Sequence, residues 1–245
     1  MRPPPPPGVQ LPLAEELAAV FARMSGLLLS SESVSTALDL LTALALETVP
    51  GSAGAGVTLV DGGRRTLSAS TDPRVEVADA LQYELDEGPC LAAATGRQVV
   101  RVDDTAAEER WPRWGAAAAG LGLRASLSAP LVAGARSMGA LKVYGEEPAA
   151  FGAREEQLLT MFAAQSAILV AHVEAQERAQ RLSEGLRRAV RSRDVVSMAK
   201  GVLMARHGVD EETAFGMLVA RCGDGTTTLG EAAGSLVRSA VRRRR

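Results

Sequence analysis

The residues whose types and spacing could do chemistry cluster near the C-terminal end. Arg193 and Lys200 stand seven positions apart in a stretch of helical periodicity, so they share one helix face. Arg206 follows six residues later and is turned about 120° from Lys200 at 3.6 residues per turn. It reaches the same patch only because it ends the helix and has a long side chain. Arg221 closes the next helical stretch. Cations on a helix meet phosphate groups, and a guanidinium also stacks on an unpaired base. Arg187, Arg188 and Arg191 are ambiguous, since they fit equally well as decoration of a solvated helix.

The other reactive types lack partners. Cys90 follows Gly88–Pro89 at a predicted helix start, where the N-terminal dipole would favour a thiolate suited to redox sensing; a packed thiol is the simpler reading. Asp103–Asp104 and Glu108–Glu109 have no partnered His or nucleophile and read as solvated loop charges. His172 falls at a periodic helix position, where a polar residue fixes register more often than it binds metal. No His lies between Gly51 and Tyr144, so a haem site there has no proximal ligand. No phosphate-cradling glycine loop, HExxH or nucleophile elbow occurs. The expectation is a protein without catalytic residues, metal or cofactor.

Charge is distributed unevenly. Residues 1–175 carry 13 Lys+Arg against 21 Asp+Glu, a net −8, while residues 176–245 carry 14 against 8, a net +6. A basic end on an acidic body suggests a polyanionic partner for that end. Two distant cysteines, Cys90 and Cys222, exclude a disulfide framework and fit a reducing cytoplasm. No apolar run approaches the ~20 residues that span a bilayer, so no membrane partner is expected.

The elements that must position these residues are legible in outline. Residues 1–14 form a Pro-rich tail. Residues 13–49 read as two helices broken near Ser30–Ser33, with a serine capping the second. Strand-like runs lie at 56–60, 65–70, 98–102, 124–132 and 137–144, with helical stretches at 73–83, 90–95 and 112–121. This order predicts an antiparallel sheet flanked by helices, an α+β sensor architecture over residues 15–175. From Arg154 onward Leu158, Met161, Gln165, Ile168, His172, Ala175, Ala179, Leu182, Leu186 and Ala189 alternate three- and four-residue steps, a coiled-coil seam that predicts a homodimer. This connecting helix, residues 154–190, would span roughly 50 Å. Beyond it a helix ends at His207–Gly208, Asp210 caps a second, and Thr228 with Glu231 forms a capping box for a third. Here Val196, Ala199, Val202, Leu203, Ala214, Phe215 and Leu218 are expected to face the core.

Particular motifs carry a family resemblance. Ser192–Arg193, the run Ala199–Lys200–Gly201–Val202–Leu203–Met204, the pair Ala214–Phe215, and Leu229 with Ala232–Ala233 resemble the ANTAR family of RNA-binding antitermination modules. The resemblance implies a three-helix bundle over residues 186–240, followed by a basic tail at 241–245, that binds paired stem-loops in nascent transcripts. Three positions depart from the pattern: Thr226 and Thr228 stand where the family usually has Asn and Lys, and Cys222 replaces a common Ser. The front of the chain is similar to the GAF sensor domain through Glu87–Gly88–Pro89–Cys90, Asp103, Arg110–Trp111–Pro112, residues 122–131, Gly139–Ala140–Leu141 and Phe151. That resemblance implies an unidentified small-molecule ligand or other signal.

The combined expectation is a cytoplasmic, signal-responsive RNA-binding antitermination regulator, with Arg193, Lys200, Arg206 and Arg221 on the RNA. Two competing readings are a DNA-binding transcription factor using the last two helices as a helix-turn-helix, and a dimeric protein-interaction module. The third helix offers few base-reading side chains beyond Arg238, which disfavours the first.

Overall fold

The protein is described by a computed structural model covering Ala22, residues 33–62, residues 64–222 and residues 227–242, apart from the side chains of 241 and 242. The Pro-rich tail, most of the first predicted helix, Thr226 and residues 243–245 lie outside the described residues.

Two compact units divide at Gln176 and Glu177. The first begins with α1 (Val34–Thr48), which Ser33 caps as its hydroxyl accepts the Thr36 N–H at 3.2 Å. Five strands follow: β1 (Gly54–Asp61), β2 (Arg64–Ser70), β3 (Val100–Val102), β4 (Ala125–Ala133) and β5 (Arg136–Gly145). They form one antiparallel sheet in the order β2-β1-β5-β4-β3. The predicted 98–102 strand is shorter than expected, because only its last three residues pair with β4. Between strands lie α2 (Pro73–Leu85), α3 (Pro89–Gly96) and α4 (Pro112–Gly120), each opened by a proline whose missing N–H costs nothing there.

Strand alternation sorts the sheet into two faces. Ala55, Val57, Leu59, Leu127, Ala129, Leu141 and Val143 share a core with Leu38, Leu41 and Ala45 of α1. The same core takes Leu159, Phe162, Ala163, Ala167 and Val170 from α5 (Ala153–His207). The opposite face meets α2, α3 and α4 through Val75, Ala78, Trp114, Tyr144, Cys90 and Ala93. Fully burying one such Leu or Phe contributes roughly 1.5–3 kcal/mol. Gly139 permits the sheet's closest approach, since at φ +143° a Cβ would sit 1.9 Å from the Thr58 carbonyl oxygen.

The predicted connecting helix and the helix after it are one continuous 55-residue element, α5. By length and composition part of α5 is apolar enough to span a membrane, but half of that part is buried inside the protein. Leu158 is fully buried and does not lie on the exposed seam. Met161, Gln165, Ile168, His172, Ala175, Ala179, Leu182 and Leu186 are exposed, on a face other than the one carrying Phe162 and Ala163.

The second unit is a small bundle of the end of α5, α6 (Glu211–Ala220) and α7 (Leu229–Arg242). Ala199, Leu203, Ala214, Leu218, Ala233 and Leu236 fill its core. Gly208 ends α5 at φ +66°. Asp210 caps α6, accepting the Thr213 N–H at 2.9 Å. Thr228 and Glu231 form the reciprocal box at α7, with Thr228 N–H donating to Glu231 at 2.8 Å and Glu231 N–H to Thr228 at 3.3 Å.

Candidate functional site

The four cations proposed from the sequence all belong to the C-terminal bundle, but they face different neighbours. Arg193 is exposed on α5. Lys200, on the same face, is half-buried and pairs with Glu211 at the start of α6. That pairing holds the Glu211 carboxyl below its usual range. Arg206 is exposed on another side of α5, where it lines an open apolar groove of about 700 Å³ with Met198, Gly201, Val202 and Val237. Arg221 caps the C-terminal end of α6 and is exposed. Arg193 and Lys200 are therefore brought onto one face by helical rotation, while Arg206 and Arg221 stand apart from it.

Three further positions are placed by the bundle, and Phe215 departs from the core position expected of it. Phe215 is 43% exposed and does not join the bundle core, which Ala214 and Leu218 fill instead. Thr228, where a Lys was expected, is committed to capping α7. Cys222 is half-buried against the bundle, its thiol directed at the Leu218 carbonyl. Gly230 explains how α7 approaches α5, since a Cβ there would lie 3.1 Å from the Ser192 hydroxyl.

In the first unit the polar sheet face holds a buried network that the sequence reading missed. Lys142 on β5 is 1% exposed, and its ammonium meets Asp79 of α2 at 2.7 Å and the Thr58 hydroxyl of β1 at 2.5 Å. Thr58 in turn donates to Asp79. Gln82 reaches Asp79 and the Tyr144 hydroxyl, and accepts the Cys90 N–H at 2.8 Å. Such a pair is strongly interdependent, because removing either charge leaves the other buried and uncompensated. The available signal was alternation: Ala140, Lys142 and Tyr144 share one face of β5, placing a lysine where a sheet interior expects an apolar residue.

Cys90 follows the simpler of its two readings, a packed thiol. It is 1% exposed, and burial, the largest cause, pushes its thiol up to about 11 despite the nearby Lys142 charge. Desolvation outweighs the short helix's dipole. Burial and the Asp79 charge likewise raise Tyr83, and burial raises Tyr144. The loop carboxylates are held as well: Glu108 by Arg110 at 2.6 Å and Asp104 by Arg124 at 2.9 Å. Trp114 is structural, fully buried with its indole N–H donating to the Ala78 carbonyl at 3.0 Å. Among the described residues no cluster of three or more His, Cys, Asp or Glu could hold a metal.

Residues 31–171, more than half of the chain, match the GAF domain family, and residues 184–237 match the ANTAR domain family. The chain is a GAF–ANTAR protein. GAF is a sensor domain and ANTAR an RNA-binding antitermination module that typically dimerises; both are regulatory and typically soluble. No curated protein matches the chain. The GAF fold is shared with solved structures at low identity. One is the GAF domain of a phosphoenolpyruvate-protein phosphotransferase from Coxiella burnetii (16% identity, TM-score 0.51, covering 67% of this chain and 98% of that one). Another is a free methionine-R-sulfoxide reductase from Neisseria meningitidis in complex with its substrate (19%, TM-score 0.50, 70% and 96%). At these identities the likeness concerns the fold alone.

Proposed function

We propose that this GAF–ANTAR protein is a cytoplasmic, signal-responsive antitermination regulator whose C-terminal bundle binds RNA stem-loops. In this reading residues 15–175 sense, residues 154–190 join and dimerise, and residues 186–240 bind RNA. Arg193, Lys200, Arg206 and Arg221 supply the cations, and the basic tail at 241–245 adds charge. The observation that carries the reading is the ANTAR match on residues that also carry the chain's positive excess. Dimerisation is supported by Leu182 and Leu186, which are 75% and 65% exposed on the seam face, a costly arrangement for a lone helix. Two bundles on one dimer would hold two stem-loops and favour the antiterminated transcript.

The test is competition binding of the full chain to a paired stem-loop RNA, a scrambled single strand and duplex DNA. Preference for the paired stem-loops supports the reading. Equal binding to all three, or preference for duplex DNA, overturns it.

A further inference from the structure

A cavity of about 130 Å³ opens in the GAF domain between the sheet and α2. Its sheet wall carries Arg65, Ser68, Ser70 and Lys142, and its helix wall carries Glu76 and Asp79. We propose that this pit binds a small zwitterion of the size of a short-chain amino acid, its carboxylate toward the sheet cations and its ammonium toward the helix carboxylates. The proposal rests on the sensor role assigned above to this domain.

Three observations carry it. The walls have opposite sign: two cations come from β2 and β5, and two carboxylates from α2, spaced three residues apart and hence on one helix face. Hydrogen-bonding capacity is left over. Lys142 uses two ammonium protons on Asp79 and Thr58, which leaves a third, while among the described residues neither Arg65 nor Glu76 forms an ion pair. Arg65 is held instead over the Tyr83 ring, 5.8 Å from its centroid. Glycine seats two of the lining side chains: a Cβ on Gly56 would lie 2.7 Å from Lys142 Cε, and one on Gly54 2.6 Å from Val75 Cγ2. With about 30 Å³ per water, the pit holds roughly four waters or a ligand of equal bulk.

Elimination narrows the class. Lys142 and Asp79 already compensate each other, so the uncompensated charges are Arg65 on one wall and Glu76 on the other. A simple anion would face Glu76 as well as Arg65, and a simple cation would face Arg65 as well as Glu76. A wholly apolar ligand would strand the remaining Lys142 proton. A molecule bearing both charges satisfies both walls.

Isothermal titration calorimetry of the full chain without RNA tests this directly. The panel is the free neutral amino acids up to the size of valine, with their N-acetylated and C-amidated forms. At least one free amino acid is expected to bind. Blocking either end, or making Arg65→Gln or Glu76→Gln at the exposed rim, is expected to weaken it by at least about tenfold, the weight of one charge-assisted hydrogen bond. No binding across the panel overturns the proposal, and so does binding indifferent to blocked ends or to both variants. Circular dichroism confirms that the variants fold. Because RNA is absent from the cell, failure here leaves the RNA reading intact, and failure of RNA binding leaves this result intact.

Discussion

The Lys200–Glu211 pair makes a sharp prediction about RNA binding. Each phosphate that a protein cation neutralises contributes about 0.7–0.9 to the slope of log affinity against log salt. At about 0.1 M salt that slope is worth roughly six-fold in affinity. Lys200, however, is already paired with Glu211, so its charge is largely compensated before RNA arrives. Lys200→Ala in the otherwise unchanged protein should therefore lower the slope by well under ~0.7. Glu211→Gln should do the opposite, releasing one cation and raising both affinity and slope. In that background Lys200→Ala should cost the full ~0.7–0.9, and the two changes should be clearly non-additive. The assay is fluorescence anisotropy of a labelled paired stem-loop across a salt series, with helical circular dichroism as the fold control. A full loss of slope from Lys200→Ala alone, together with no effect of Glu211→Gln, would refute the claim that α6 withholds this charge.

Other expectations follow from burial and exposure. Leu182→Glu with Leu186→Glu, both on the exposed seam, should convert a dimer to a monomer in sedimentation without lowering the GAF domain's melting temperature; an unchanged dimer refutes the seam. Trp114→Ala should cost about 3–5 kcal/mol in denaturant unfolding, since a fully buried ring and its hydrogen bond to Ala78 are both lost. A cost below about 1 kcal/mol would mean the site collapses around the gap. Cys90 has a folded-state value of about 11 against an ordinary 9.0, so the folded state holds the proton longer. Its contribution is complete below about pH 9 and is lost as pH rises toward 11, by roughly 2 kcal/mol. Urea unfolding at neutral and alkaline pH should therefore show a smaller alkaline loss in Cys90→Ala than in the wild type.

Local signals fixed most of the architecture. Ser33, Asp210 and the Thr228–Glu231 box announced helix starts, because a cap is a short-range hydrogen bond readable from three or four residues. Hairpins at β1–β2 and β4–β5 were legible for the same reason. What escaped depended on contacts between distant elements. Phe215 follows a helical apolar pattern, yet a helix of only ten residues buries a narrow stripe, and Ala214 and Leu218 occupy it. Glu108 and Asp104 looked solvated because nothing nearby in the pattern assigns them Arg110 or, twenty residues on, Arg124. Lys142 and Asp79 meet only once β5 lies beside β1 under α2, so neither residue alone signals the pair.

That pair also bears on how a sensor domain could speak to its long helix. Lys142 stands on β5 between Leu141 and Val143, so a single strand presents its charge to the α2 side and its two apolar neighbours to the other. Leu141 and Val143 share a core with Phe162, Ala163 and Val170 of α5. Close-packed interiors respond to small displacements by shifting between discrete arrangements. A ligand drawing on the Lys142 ammonium would thus act on the strand that floors the α5 contact, with no relay through the loops required. Replacing Val143 with Ala would loosen that contact while leaving Lys142 and Asp79 in place. Zwitterion affinity should then survive, and any effect of the zwitterion on RNA binding should shrink. If that effect persists undiminished in Val143→Ala, the coupling runs by another route than β5.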